Sequence, residues 1–444
     1  KDSNLRSSDA NKCTFRYRLL GPACTPLHHC LVDFDIGPYR QGKVTNEKNY
    51  KLMHKGKIVC NAEISSITEG IRYNRQMKKR IRNFFEPVIK EPTNYAKVIL
   101  NILNSPNVAS KAIAFKHYDT EVQGNTVIRP GEADAGVIAP ITGSSIGVAL
   151  KTDSNPLYCR ISQYWGGVNA VAESMRNVAS VGGVPYGLTD CLNYGNPENP
   201  ESFYDFVQAV RGIGESAKNI WLKGTRLPVP FVSGNVSFYN ESANGKVIDQ
   251  CPIVACVGVL QDYSKAITMK IKGENNEIYL VGPRKDELGG SVYYQLNNEI
   301  GANLPRIDFA LERGMIYGVI DAINERALLS CHDISDGGLI ASVSEMVLGG
   351  NADGKIGAEL SFLAPKLRMD KVLFSESSGF IFEVEEENKD KVMEIFGKYK
   401  IKPIQIGVTG GDELKVICNS KEITNLEIPK IKSAWTTGVV EALR

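Results

Sequence analysis

Two stretches decide how this chain is read: Thr189-Asp190-Cys191-Leu192-Asn193-Tyr194-Gly195-Asn196-Pro197 and Val232-Ser233-Gly234-Asn235-Val236-Ser237-Phe238-Tyr239-Asn240-Glu241-Ser242. Each follows an apolar or β-prone run and then breaks into Asp, Asn, Gly and Ser. That is the pattern of a strand ending in a polar loop that can hold a ligand. A helical pattern from about Pro200 to Lys218 separates them, so the two are expected to be strand tips brought side by side.

Working outward, Gly136–Ala139 and Ser145–Asp153 read as buried strands, the second with an acidic tip. Val168, Val171, Ala172, Met175, Val178 and Ala179 mark one face of a helix, which Gly182-Gly183 ends and Pro185 prevents from continuing. Ile253–Leu260 is a continuous apolar run, a fully buried strand. These elements make a mixed α/β domain over residues 106–262. From 263 to 434, strands at Ile278–Gly282, Phe380–Val384 and Leu414–Cys418 mix with helices near Tyr317–Leu329, Leu339–Leu348 and 388–399, an α+β domain. Residues 1–30 lack periodicity and are expected to be disordered. Residues 31–75 (Leu31–Ile36, then a hairpin about Lys55-Gly56) read as the β-rich remnant of a preceding domain. Residues 76–105 read as a basic linker with a docking helix from about Tyr95 to Leu103, and 435–444 as a tail. The class is α+β.

A chain of 444 residues exceeds one hydrophobic core and implies two or three domains. Its 43% apolar and 23% charged residues are globular values, and a net charge of +2 argues against a nucleic-acid partner. The basic cluster Lys78-Lys79-Arg80-Ile81-Arg82 reads as the solvated face of a linker helix. No stretch reaches the roughly 18–20 apolar residues that cross a bilayer, so no membrane role is expected. The ten cysteines form no CxxC pair, which fits reduced thiols and a cytoplasmic setting. Cys13, Cys24 and Cys30 near His28 and His29 match no zinc-finger spacing.

No GxxxxGK[ST], GxSxG, HExxH or GxGxxG fingerprint is present. What stands out is a set of acidic and amide tips: Asp134, Asp153, Asp190, Asn193, Asn235 and Asn240. Their oxygens suit Mg²⁺, which keeps waters and bridges phosphates through one or two protein oxygens. Gly234 would let a phosphate chain approach the backbone. The plainer alternative is that Asp190 and Asn235 satisfy their own turns. Leu288-Gly289-Gly290-Ser291 reads either as an anion-binding helix N-terminus or as an ordinary N-cap. Asp333-Ile334-Ser335-Asp336-Gly337-Gly338 reads first as a cap, and Ser375-Glu376-Ser377-Ser378-Gly379 as a tight turn. His332 and His117 read as structural hydrogen-bonders.

Five motifs taken in order, Asp119–Val127, Thr152–Pro156, Thr189–Pro197, Ser233–Glu241 and Glu287–Ser291, resemble the C-terminal half of phosphoribosylformylglycinamidine synthases. The likeness spans about residues 31–440. It implies an aminoimidazole ribonucleotide synthase-like two-domain unit, an N-type mixed α/β domain followed by a C-type α+β domain. It further implies ATP- and Mg²⁺-dependent conversion of an amide to an amidine. In that family ATP phosphorylates the amide oxygen, and ammonia from a glutaminase subunit displaces phosphate. The partners implied are that glutaminase, a small bridging subunit, and a first-half polypeptide or a second copy of this chain. Carried over by motif, Asp190 and Gly234 match ATP contacts, Asn235 a magnesium ligand and Ser237 a substrate contact. The family's catalytic His, its ATP-binding Lys and several acidic ligands belong to the first repeat and match nothing here. No catalytic residue is therefore assigned to this chain, which is expected to be inactive alone. The alternatives are a self-sufficient synthase-like homodimer and a non-catalytic nucleotide-binding scaffold.

Overall fold

The computed structural model describes residues 42–70, 73–363 and 365–443. The expected disordered lead, the Leu31–Ile36 run and the Cys13, Cys24, Cys30, His28, His29 group lie outside them. The chain divides into two compact units, residues 1–74 and 75–444. In the first, β1 (Asn49–His54) and β2 (Lys57–Glu63) form an antiparallel hairpin, and a short helix Ile64–Thr68 follows. Lys55 and Gly56 both take positive φ at the turn, the conformation a two-residue hairpin needs.

The second unit opens with residues 75–92, which carry no helix. The basic run does not form the expected linker helix. Arg80 and Arg82 instead place their guanidiniums 2.9 and 2.7 Å from the fully buried carboxylate of Asp205. Pro87 and Pro92 also disfavour helix. Further along this irregular segment, Glu86 accepts from Tyr294 Oη (2.6 Å) and from the Ala302 and Asn303 amides (2.9 and 3.0 Å). The helix Tyr95–Asn104 then buries Tyr95, Ile99, Ile102 and Leu103 and is capped by the Asn94 side chain.

The first sheet has the order β3-β4-β5-β8-β6-β7. It is built from β3 (Thr126–Ile128), β4 (Gly136–Ile138), β5 (Gly147–Asp153), β6 (Val184–Asn193), β7 (Phe231–Ser237) and β8 (Cys251–Leu260). All neighbours are antiparallel except β6 and β7, which are parallel. Parallel strands need a crossover, supplied by the helix Pro200–Asn219. The helix Gln163–Ser180 packs beside it on the same face of the sheet. Glycine is required where they cross, because a Cβ on Gly212 would stand 2.1 Å from Tyr164 O and one on Gly167 2.6 Å from Ala209 O. Val168, Val171, Met175 and Val178 of the longer-buried helix face are at most 1% exposed, each such side chain contributing roughly 1.5–3 kcal/mol of burial.

The second sheet contains β9 (Glu277–Val281), β10 (Ser330–Asp333), β11 (Ala358–Phe362), β12 (Phe380–Val384), β13 (Ile404–Thr409), β14 (Glu413–Cys418) and β15 (Lys421–Glu427). Their order is β10-β12-β9-β13-β11-β14-β15, antiparallel but for β11 and β14. Two mixed sheets with segregated helices make this an α+β protein. The two sheets are not independent cores. One hydrophobic cluster runs from Val171 and Val178 through Ile316 and Ile320 of the helix Phe309–Asn324 to Phe380 and Phe382 of β12. The end of the chain, expected as a tail, is the second half of the helix Ile428–Ala442. Trp435 is buried there and donates to Glu345 Oε1 at 3.2 Å.

Candidate active site

The register of β6 and β7 sets the site. Asp190 lies opposite Gly234, Cys191 opposite Asn235, and Asn193 opposite Ser237. The two polar stretches are thus brought side by side. They differ from the expected loop tips in staying strand as far as Asn193 and Ser237. Strand side chains alternate between faces, so the four candidate residues divide. Asp190 and Gly234 point to the helix-covered face, where a Cβ on Gly234 would meet Asp190 Oδ1 at 2.7 Å. Asn235 and Ser237 point to the other face with Cys191 and Asn193. The Asn235 amide nitrogen donates to Cys191 Sγ at 3.7 Å.

β7 is the last strand of its sheet, so a ligand can reach both faces around its edge. Burial pushes the Asp190 carboxyl up, against the opposing pull of the Asn235 N–H. The open face continues across the sheet as an apolar surface. Ile138 on β4, Leu150 on β5 and Ile253 on β8 are 45%, 52% and 39% exposed.

Beyond the strands the chain doubles back and ties its two loops together. Asn196 N donates to Glu241 Oε1 (3.0 Å), Tyr239 N to Gly195 O (3.2 Å) and Asn240 N to Tyr194 O (3.1 Å). Asn240 is thereby committed within the protein.

Asp134 and Asp153 do not join this rim. They belong to a buried ionic cluster between the helix Gln163–Ser180 and the second sheet. His332 sits between two carboxylates, Nδ1 2.6 Å from Asp134 and Nε2 3.0 Å from Glu345. Burial disfavours its charge, but those two carboxylates outweigh burial and raise its pKa well above the ordinary value. Arg176 is held by Glu312 at 2.7 Å and lies 3.5 Å from both Asp333 and Glu173. Asp134, His332 and Asp333 are close enough to share a cation. With both ring nitrogens on carboxylates, however, His332 is itself the cation of the group.

The two motifs read as turns and caps resolve differently. The helix Gly338–Leu348 has no side-chain cap from its own motif, and Asp333 and Asp336 lie in the ionic cluster. Its N-terminal Gly337 amide is accepted by Glu376 Oε1 at 2.8 Å, which also accepts from Val292 N at 2.9 Å. Glu376 Oε2 accepts from Tyr158 Oη at 2.6 Å. The turn Ser375–Gly379 therefore serves as a cap for two helices. Ser291 is an ordinary N-cap, accepting from Tyr294 N at 3.2 Å. His117 is exposed and outside the site. Lys151, Glu173 and Arg176 were not singled out by any motif, and Glu376 lay in one read as a tight turn. Glu173 and Arg176 alone leave a trace, as charges on an otherwise apolar helix.

This cluster makes stability fall as pH rises. Burial pushes Asp336 up to about 6, Asp333 up to about 7 and Glu376 up to about 8, with neighbouring carboxylates adding to each. A carboxyl raised in the folded state keeps its proton where the unfolded chain has lost it. Between about pH 4 and 8 the native state therefore binds more protons, and stability declines with pH. His332, also raised, contributes in the same sense: its stabilisation is whole below about 6.5 and is lost as pH climbs through the folded value. Calorimetry is expected to give a higher thermal midpoint at pH 5.5 than at pH 8.0, with Glu376→Gln flattening the upper limb. A midpoint that rises from pH 5.5 to 8.0 would refute this assignment.

Comparison with known proteins follows the same lines. Residues 132–260 match the N-terminal domain, and 273–419 the C-terminal domain, of the AIR synthase related protein family. The phosphoribosylformylglycinamidine synthase subunit PurL of Methanothrix thermoacetophila is 49% identical over 405 residues, which is 91% of this chain and 52% of that protein. The subunit of the same name from Thermomicrobium roseum is 35% identical over 411 residues, 90% of this chain and 54% of its own length. The chain spans about half the length of these curated relatives. Among solved structures, T. maritima PurL complexed with FGAR superposes with a TM-score of 0.61 at 16% identity, covering 77% of this chain and 54% of that one. PurLQS from Thermotoga maritima gives 0.58 at 17%, covering 78% and 53%. With the rim on a parallel strand pair of the first domain and the second domain packed behind it, the chain belongs to the AIR synthase related family, carrying its N-terminal and C-terminal domains in that order.

Proposed function

We propose that this chain is the C-terminal part of a formylglycinamidine ribonucleotide synthetase of de novo purine biosynthesis. The single observation that carries this reading is the 49% identity to a PurL subunit over 91% of the chain. In the proposed reaction ATP transfers its terminal phosphoryl group to the amide oxygen of formylglycinamide ribonucleotide. Ammonia then attacks the resulting iminophosphate, phosphate leaves, and the products are the amidine, ADP and phosphate.

The rim suits one wall of such a site. Asn235 Oδ1 is a hard amide oxygen on an exposed edge strand, which fits a Mg²⁺ that keeps waters and takes its other oxygens from phosphates. Bound there, the ion would neutralise phosphoryl charge. Asp190 and Gly234 would meet the nucleotide from the helix side, with the missing Cβ leaving room, and Ser237 would meet the substrate. The opposite wall would come from a first-half polypeptide, or from a second copy of this chain. The apolar face around Ile138, Leu150 and Ile253 gives such a partner a surface to cover. A glutaminase supplying ammonia and a small bridging subunit complete the proposed assembly. Free thiols at every described cysteine fit a reducing, cytoplasmic setting, and no helix among the described residues is long and apolar enough to cross a membrane.

The test is reconstitution. The chain alone is expected to show no amidine formation from formylglycinamide ribonucleotide, ATP and ammonia. Adding the first-half segment of the Methanothrix relative should restore it. Turnover by the chain alone as a homodimer would favour the self-sufficient synthase. Nucleotide binding with no turnover in either setting would favour a scaffold.

A further inference from the structure

We infer that Asn240 is a positioning residue that commits the Ser237 hydroxyl proton, so that Ser237 recognises its ligand as a hydrogen-bond acceptor. The group bound there is then an O–H or N–H donor, and not a phosphate or carboxylate oxygen. The inference rests on reading Ser237 as a substrate contact, and it adds which part of a substrate that contact can read.

The geometry begins with the turn after β7. Tyr239 takes φ +60°, a left-handed conformation that a bulky residue adopts only under constraint. This folds Asn240 back onto the strand ends. Its side-chain nitrogen lies 3.0 Å from Tyr194 O and 2.8 Å from Ser237 O. Both are carbonyl oxygens, which only accept, so the amide has one possible orientation, with its NH₂ toward them. The carbonyls are held in turn by the Tyr194 amide on Ser237 O (2.9 Å) and the Asn240 amide on Tyr194 O (3.1 Å).

With the NH₂ so fixed, Asn240 Oδ1 is the atom 3.2 Å from Ser237 Oγ. It carries no proton, so the serine must donate. A hydroxyl has one proton and two acceptor lone pairs. Once the proton is spent on Asn240, only lone pairs remain for a ligand on the open face beside Asn193 and Asn235. An anionic oxygen placed there would meet lone pair against lone pair. A ribose hydroxyl or an amide N–H would be bound.

The orientation is measurable in the chain alone. The side-chain amide resonances that vanish in Asn240→Asp are expected to exchange slowly with water, as for an NH₂ bound to two carbonyls. Exchange at the rate of a free amide would overturn the inference. In the enzyme reconstituted with its first half, Ser237→Ala is expected to raise KM for formylglycinamide ribonucleotide about three- to tenfold, the range of one hydrogen bond. Asn240→Ala should raise it comparably with little change in kcat, and the double variant should be no worse than Ser237→Ala, because both remove one contact. If Ser237→Ala leaves KM unchanged, the reading of Ser237 as a substrate contact fails. If Ser237→Ala acts while Asn240→Ala does not, or the two effects multiply, that reading stands and the positioning role of Asn240 is overturned.

Discussion

Replacing Arg176 with methionine is expected to lower the thermal midpoint by roughly 5–15 °C, the equivalent of about 3–5 kcal/mol. Arg176 is fully buried and donates to Glu312 at 2.7 Å, with Asp333 and Glu173 each at 3.5 Å. Its removal would leave carboxylates without their cation in a region where water cannot replace it, and breaking one side of a buried ion pair is what costs most. The loss should shrink when Glu312 is changed to leucine in the same protein, since the nearest of the stranded carboxylates is then gone. The position matters for function as well as stability. Arg176 lies on the helix behind the first sheet, while Glu312 and Asp333 belong to the second domain, so this ion pair helps fix one domain against the other. Calorimetry of the single and double variants would decide it. A single variant as stable as the parent would mean that the cluster does not hold the domains in this way.

The second large effect is expected at Asn235. In the reconstituted enzyme Asn235→Ala should reduce magnesium-dependent turnover by more than the about 10–100-fold typical of losing an outer-shell partner. Among the described residues the side chain hydrogen-bonds only to Cys191 Sγ, at 3.7 Å, so folding should be unaffected. Raising magnesium should recover part of the loss, because the proposed ion would still have phosphate ligands. Unchanged turnover at limiting magnesium would remove Asn235 from the metal site.

The sequence carried the regular elements well where one physical signal dominated. The apolar spacing of Val168 to Ala179 marks the helix that lies on the sheet, and the Ile253–Leu260 run marks β8. Reading failed where polar residues sit in regular structure. Asp190, Cys191 and Asn193 look like a loop, yet β6 is bonded on both sides, and its polar side chains are tolerated because one face is open and the neighbouring strand is an edge. Alternation puts Asp190 and Asn235 on different faces only once both stretches are recognised as strand and their register, Asp190 opposite Gly234, is known. The Lys78–Arg82 run misled in the opposite direction. Its charge suggested a solvated helix, whereas the pairing of Arg80 and Arg82 with Asp205, more than a hundred residues away, and the nearby Pro87 and Pro92 explain why it is not helical. The ionic cluster was invisible for the same reason. Asp134, Arg176, Glu312 and His332 are far apart in the chain, and no local pattern tells which acid meets which base.

The central claim is that the β6–β7 rim is one wall of a nucleotide and substrate site completed by another polypeptide. Hydrogen exchange on the chain mixed with its first-half segment tests this most directly. Adding Mg²⁺, a non-hydrolysable ATP analogue and formylglycinamide ribonucleotide should slow exchange of the amides of Phe231–Ser237, which form an exposed edge, while the ligands added to the chain alone should protect them little. Strong protection in the chain alone, or none in the mixture despite tight ligand binding, would contradict the account.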